Sequence, residues 1–184
     1  MSHSYPRTID NGHGEQLTFV RLVRGDSGDR LEVEGRAQSG VGPPMHVHFL
    51  QEEAITVVAG RMGYQLEGDE PREAGPGDTV LLPRGIAHRW WNASPTELRS
   101  TGWIAPANNA EFYLATLFES MERSGSGRPG LFDSAFLMTR YRSEFDIIEL
   151  PALVRKVGFP VLMTLGRIIG KYRRFAGAPA PIVA

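Results

Sequence analysis

The apolar and polar residues of the first 105 positions follow the pattern of short β-strands. The segment from Arg30 to Gln38 shows this most clearly, with apolar or small residues on one face and polar, mostly charged residues on the other. Such segments follow one another at roughly 8–12-residue intervals, separated by Gly, Pro and Asp turns, as in β-sandwiches and barrels. The predicted strands are 16–24, 30–38, 53–59, 61–67, 79–82, 88–92 and 98–104.

The pattern changes after Pro106, where apolar residues recur at the three- and four-residue spacing of helices. Helices are predicted over 110–122, 131–141 and 159–172, and the Ala-, Gly- and Pro-rich segment 176–181 is predicted to be a frayed tail. The sequence therefore predicts a β-barrel at 13–105 and a helical extension at 106–176. We expect the apolar stripes of the extension to pack on the barrel or on a partner subunit, because they are too extensive to leave in water. The last of these stripes contains Val161, Leu165, Ile168 and Ile169.

The composition is that of an ordinary globular chain, with 41% hydrophobic residues and a net charge of −1 over 184 residues. A near-neutral chain has no general attraction to nucleic acid, so no nucleic-acid partner is expected. The sequence shows neither a signal-peptide pattern nor an apolar run long enough to span a bilayer. We therefore expect a cytoplasmic protein. The basic, apolar end of the extension is expected to pack on protein, and contact with a membrane is not expected.

Three of the five histidines occur in a pattern that suits a metal site. His46 and His48 are one residue apart in an extended segment and so point to the same face, while His88 follows a Pro-x-Gly turn about forty residues later. The chain has no cysteine, so a metal would be held by histidine and carboxylate. Glu52 and Glu53 are adjacent and point in opposite directions, so one of them is the candidate fourth ligand. Such a ligand set suits Fe, Mn, Ni, Co, Cu or Zn.

These residues resemble the two sequence motifs of the cupin superfamily. The resemblance covers roughly residues 13–105 and implies a mainly β fold, the double-stranded β-helix or jelly-roll barrel, here with a C-terminal α-helical extension. It also implies that His46, His48, Glu53 and His88 converge on one divalent transition metal, and its spacing favours Glu53 over Glu52. The first motif is matched by Gly40, His46, His48, Glu53 and Gly60, and the second by Gly77, Pro83, Gly85, His88 and Asn92.

The resemblance further implies a metal-dependent protein acting on a small organic molecule, most often a dioxygenase of the quercetin-dioxygenase-like type. In that chemistry Glu53 could detach from the metal and act as a base, which makes it the candidate catalytic residue. Since the fold also hosts isomerases, lyases and non-catalytic binders, a small-molecule binding or sensing module is the alternative.

The remaining candidates concern the pocket and the assembly. Trp90 shares the inward face of its strand with His88 and is predicted to line the pocket. Asn92 is expected to brace strand backbone, and Arg84 is expected to be a surface residue, although it could reach a substrate carboxylate. Apolar inward positions predict an apolar cavity and hence an apolar or aromatic ligand, and uncovered sheet edges predict a homodimer. The inward positions concerned are Ile55, Val57, Tyr64 and Leu66.

Overall fold

The computed structural model describes residues 4–26 and 28–183. Within these residues eleven strands form two antiparallel sheets, and the helices follow the tenth strand. The strands are β1 (Arg7–Asp10), β2 (Glu15–Val23), β3 (Arg30–Ala37), β4 (His46–His48), β5 (Glu52–Ala59), β6 (Met62–Leu66), β7 (Arg72–Ala74), β8 (Thr79–Leu82), β9 (His88–Asn92), β10 (Leu98–Ala105) and β11 (Phe145–Ile147). The helices are α1 (Ala110–Ser124), α2 (Leu131–Arg140) and α3 (Phe159–Ile168), with a π-helical segment at Val154–Gly158 and a 3-10 turn at Arg173–Phe175.

The two sheets form the jelly-roll barrel that the sequence predicts. One sheet has six strands in the order β1-β2-β3-β10-β5-β8, and the other has five in the order β11-β4-β9-β6-β7. The alternation of apolar and polar residues along β3 matches the observed burial of its two faces. Leu31 and Ala37 are buried, whereas Glu34 on the opposite face is exposed. The mainly β fold with C-terminal helices is thereby confirmed.

The first helix closes one side of the barrel. Apolar residues of α1 pack against the inner faces of β2 and β3, where Phe19 and Leu31 are fully buried. Full burial of a large apolar side chain contributes about 1.5–3 kcal/mol, so this contact stabilises the docked helix substantially. Tyr113 on the same helix packs with Ile104 of β10 and with α2. The extension therefore shares its core with the barrel.

One strand of the barrel comes from the predicted helical extension. Strand β11 pairs antiparallel with β4, so that Phe145 lies opposite His48 and Ile147 lies opposite His46. The sequence prediction missed this strand because three residues are too few to show an alternating pattern. It also missed β1 and β7, which have four and three residues.

One expectation for the C-terminal part needs correction, and another stays a prediction. Val161, Leu165, Ile168 and Ile169 are 46–77% exposed within the single chain, because α3 buries its opposite face, with Phe159 and Met163, against α2. Packing of this stripe on a partner subunit therefore stays a prediction. The predicted frayed tail is docked. Its carbonyl groups accept hydrogen bonds from groups of the helical extension, which replaces the water that a free tail would bind. These donors are Arg140 Nη2 and Tyr141 OH to Pro179 O, Asn109 Nδ2 to Ala180 O, and Ser143 Oγ to Ile182 O.

Within residues 4–26 and 28–183, none of the helices combines the length and the hydropathy that crossing a bilayer requires.

Candidate metal centre

The two histidine motifs meet because their strands are neighbours in the five-stranded sheet. Strand β4 carries His46 and His48, and it pairs with β9 so that His46 lies directly opposite His88. His46 and His48 point to one face because strand side chains alternate. Glu53 enters from β5 in the other sheet, across the barrel interior.

The Pro-x-Gly turn fixes the position of His88. Gly85 has a φ of +76°, which an L side chain rarely adopts, so glycine suits the turn. Its backbone N–H donates to the carbonyl oxygen of His48 at 2.7 Å, and the N–H of Ile86 donates to Pro83 O at 3.3 Å. The turn before the third histidine is thereby tied to the strand that carries the other two.

The four candidate ligands converge on a small volume. Each of His46, His48, Glu53 and His88 offers one ligand atom, and these atoms all lie within 4.8 Å of one another. Glu53 Oε2 lies 3.7 Å from His88 Nε2 and 3.9 Å from His48 Nδ1. The ring centroids of His46 and His88 are 4.5 Å apart. The structure therefore brings together the four residues that the motifs predict, and their assignment as metal ligands stays a prediction.

Backbone carbonyls orient two of the three rings. Nδ1–H of His46 donates to Pro44 O at 2.8 Å, and Nδ1–H of His88 donates to Ile86 O at 3.0 Å. In the neutral rings these bonds place the proton on Nδ1 and leave the Nε2 lone pair free, as metal-binding histidines require.

Two buried ring nitrogens lack hydrogen-bond partners among the described residues: His88 Nε2 and His48 Nδ1. An unpaired buried polar atom is costly, and a metal ion at the centre of the cluster would satisfy both. The chemistry of the donor set thus fits a divalent transition metal.

Burial and neighbouring charges shift the pKa values of His46, His48 and Glu53 in the direction that favours metal binding. Burial, together with the charge of neighbouring imidazoles, lowers the pKa of His46 to about 4 and that of His48 to about 3. Burial by itself would raise the pKa of the Glu53 carboxyl, but the approach of His88 and the charges of all three imidazoles outweigh it and lower that pKa. At neutral pH His46 and His48 are therefore neutral imidazoles and Glu53 is a carboxylate, as metal binding requires.

Other motif residues lie around the site. Glu52 is half-buried and is not part of the cluster. Asn92 is buried, and its Nδ2 donates to Ala37 O at 2.9 Å and to Thr96 O at 2.7 Å, which confirms its expected role in bracing backbone. Arg84 is exposed, as expected of a surface residue.

A cavity of about 320 Å³ adjoins the cluster. Trp90 lines it, as predicted, together with His46, His48 and Glu53. A wider cleft of about 900 Å³ lies beside it, and the two share Trp90 and Met121 among other residues.

The cavity is apolar, but the prediction of which inward-facing residues line it is wrong. Ile55 and Val57 are buried in a separate core cluster, with Tyr64 and Leu66 packed against it. The apolar walls come largely from α1, β2, β10 and β11, and the sequence prediction missed the residues of α1 and β11 because only the docked extension brings these two elements to the barrel. The wall residues include Leu17, Ile104, Tyr113, Leu114, Leu117, Phe118, Met121 and Phe145.

Comparison with known families and proteins agrees with this arrangement. A family model described as a cupin domain matches residues 34–101, which include all four cluster residues. One curated relative, named oxidoreductase iacF, of Pestalotiopsis fici, is 32% identical over 75 residues. That match covers 40% of this chain and 37% of the relative, so the chain spans well under half the length of that relative.

Solved structures with a similar fold include KdgF from Halomonas sp., with 24% sequence identity and a TM-score of 0.46. That comparison covers 53% of this chain and 85% of KdgF. An RmlC-like cupin from Shewanella frigidimarina is 18% identical with a TM-score of 0.47, over 58% of this chain and 89% of that protein.

Proposed function

The barrel of this chain belongs to the cupin superfamily, and we propose that the chain is a metal-dependent enzyme that oxidises a small organic molecule by dioxygenase-type chemistry. The observation that carries the proposal is the convergence of three imidazoles and one carboxylate, with two buried ring nitrogens unpaired. The relative named as an oxidoreductase supports the reaction class.

In this proposal His46, His48, His88 and Glu53 hold the metal. A divalent transition metal bound there supplies Lewis-acid and redox chemistry toward a substrate oxygen and O2. Glu53 has the position of a base, because its carboxylate faces the cavity and could take a proton from an enol hydroxyl of the substrate. The apolar walls exclude water and favour an apolar or aromatic substrate.

Metal content tests the site directly. Elemental analysis of the wild-type protein should show about one divalent transition metal per chain, and the His48→Ala/His88→Ala double variant should lose most of it. Circular dichroism should show that the double variant keeps its barrel, because the apolar core residues of the barrel are unchanged. Equal metal in both proteins would show that the assignment is wrong.

Turnover tests the reaction. The metal-loaded protein should consume O2 with at least one member of a panel of enols and flavonoids, and Glu53→Gln should lower the rate. A metal-loaded protein that binds panel members without consuming O2 would contradict the oxidation and leave a binding or sensing role as the explanation.

We also propose that the chain forms a homodimer through the outer face at β8. Strand β8 is an edge of the six-stranded sheet, with unpaired backbone groups along one side. Leu81 on this strand and Val58 on the neighbouring β5 are 49% and 48% exposed. Large exposed apolar side chains beside a sheet edge favour association between copies.

A further inference from the structure

The cavity beside the metal cluster has a polar group that the proposed chemistry does not use. Glu15, the first residue of β2, lines the same cavity as Glu53. The two carboxyl groups enter from strands that are separated by β3 and β10 in the six-stranded sheet. Most of the wall between them is apolar, so Glu15 stands out as a hydrogen-bonding group inside the cavity.

A rigid turn holds the Glu15 side chain. Asn11 is 2% exposed, and its Oδ1 accepts the backbone N–H of His13 at 2.8 Å and that of Glu15 at 3.1 Å. Its Nδ2 donates to Glu15 Oε2 at 3.3 Å. Within the described part of the chain, the other carboxyl oxygen, Oε1, receives no side-chain hydrogen bond. The turn thus holds one carboxyl oxygen of a residue that lines the cavity.

The same turn closes the cavity against the loop that follows α1. His13 Nε2 accepts the backbone N–H of Gly127 at 2.8 Å, and both residues line the cavity. This bond links the turn before β2 to a loop more than a hundred residues later. The polar end of the cavity is therefore built from the body of the protein and not from one free surface loop.

The environment of Glu15 suits a neutral hydrogen-bonding ligand. Burial, with a further contribution from the charge of Glu53, raises the pKa of Glu15 to about 7. A carboxyl group of this kind can accept a hydrogen bond from a hydroxyl group when ionised and can donate one when protonated. A ligand carboxylate, by contrast, would meet a second acidic group.

We propose that Glu15 is a substrate-positioning residue that binds a hydroxyl group of a mostly apolar ligand. The inference rests on the proposed function, since it places the hydroxyl at Glu15 and the reacting end of the ligand at the cluster of His46, His48, Glu53 and His88. It narrows the substrate class to hydroxylated aromatic or alkyl molecules that fit about 320 Å³.

A matched pair of probes tests the inference without requiring the metal. Affinities for para-ethylphenol and ethylbenzene are measured by calorimetry on the full chain, both after chelator treatment and after metal loading. We expect the wild type to bind the phenol about tenfold more tightly than ethylbenzene, the effect of one buried hydrogen bond to a charged partner. Glu15→Leu should abolish the preference, and Glu15→Gln, which keeps one acceptor oxygen, should retain part of it. Gln16→Leu, on the exposed opposite face of the same strand, is the control and should keep the full preference.

The outcomes separate this inference from the proposed function. If Glu15→Leu keeps the wild-type ratio of affinities, or if the wild type shows no preference, the assignment of Glu15 is overturned. A wild type that prefers the phenol but holds no metal contradicts the metal-dependent function and leaves the Glu15 contact supported. Metal content should be the same in the wild type and in all three variants.

Discussion

Removing the buried carboxyl group of Glu144 should destabilise the whole chain. Glu144 is fully buried at the junction of the barrel, the helical extension and the C-terminal tail. Its Oε1 accepts from Asn109 Nδ2 at 2.6 Å and from the backbone N–H of Ile182 at 3.0 Å. Its Oε2 accepts from Gln51 Nε2 at 3.1 Å and from the backbone N–H of Asn109 at 3.3 Å. One side chain therefore satisfies donors from three parts of the chain.

The expected loss in the free energy of unfolding follows from the number of hydrogen bonds that Glu144 accepts. Glu144→Ala leaves all of them without their acceptor, and at about 1–1.5 kcal/mol for each hydrogen bond the free energy of unfolding should fall by about 4–6 kcal/mol. Glu144→Gln keeps one acceptor oxygen but turns an amide N–H₂ toward the other donors, so it should lose about 2–3 kcal/mol. A domain has about 5–15 kcal/mol of stability, so the Gln variant should still fold.

Urea unfolding followed by circular dichroism measures these values, with Glu70→Ala as a control at an exposed acidic position. The control should lie within about 0.5 kcal/mol of the wild type. A Glu144→Ala protein that is within about 1 kcal/mol of the wild type, with an unchanged denaturant slope, would refute the role of Glu144 as a buried hydrogen-bond hub.

Three further predictions concern pH, assembly and the extension. After chelator treatment, stability should fall as pH decreases from about 6.5 to 5, because the unfolded chain takes up protons at His46 and His48 while the folded chain, with pKa values of about 4 and 3, does not. The expected loss in the free energy of unfolding at pH 5 is about 2 kcal/mol for each histidine before solvent screening. Glu15 partly offsets this loss, because its raised pKa acts in the opposite direction. A free energy of unfolding, measured by urea titration, that does not fall over this pH range would contradict the prediction. The Val58→Glu/Leu81→Glu variant should be monomeric by light scattering where the wild type is a dimer, and a monomeric wild type at micromolar concentration would rule out the proposed assembly. A chain that ends at residue 105 should aggregate, because it lacks β11 and exposes the barrel face that α1 covers; a soluble, metal-loaded truncated protein would show that the extension is not needed for the barrel.

Local sequence patterns and the two histidine motifs predict the barrel and the four residues of the candidate site. Alternation along β3 is a local property, because each strand side chain points opposite to its neighbours whatever surrounds it. The same rule places His46 and His48 on one face. Motif spacing then pointed to His88 and favoured Glu53 over Glu52, and the structure brings these side chains together as the spacing implies.

The surroundings of that site depend on contacts between segments that are far apart in the chain. Phe145 lies against the His48 ring with centroids 5.3 Å apart, although almost a hundred residues separate them in the chain. Three-residue β11 is stable as a strand because β4 supplies its hydrogen bonds, and no local pattern encodes that pairing. Long-range docking of this kind also places α1 over the cavity.

The same distinction explains the charged residues that sequence reasoning passed over. Glu15 and Glu144 look like ordinary surface glutamates in the sequence, since charged side chains are mostly exposed. Their environments arise from distant partners: a cavity wall built by α1 for Glu15, and donors from Gln51, Asn109 and Ile182 for Glu144. Periodicity in the sequence indicates which face of a strand or helix a residue occupies. Burial and hydrogen bonding depend on which segments pack against that face, and these contacts form only in the folded chain.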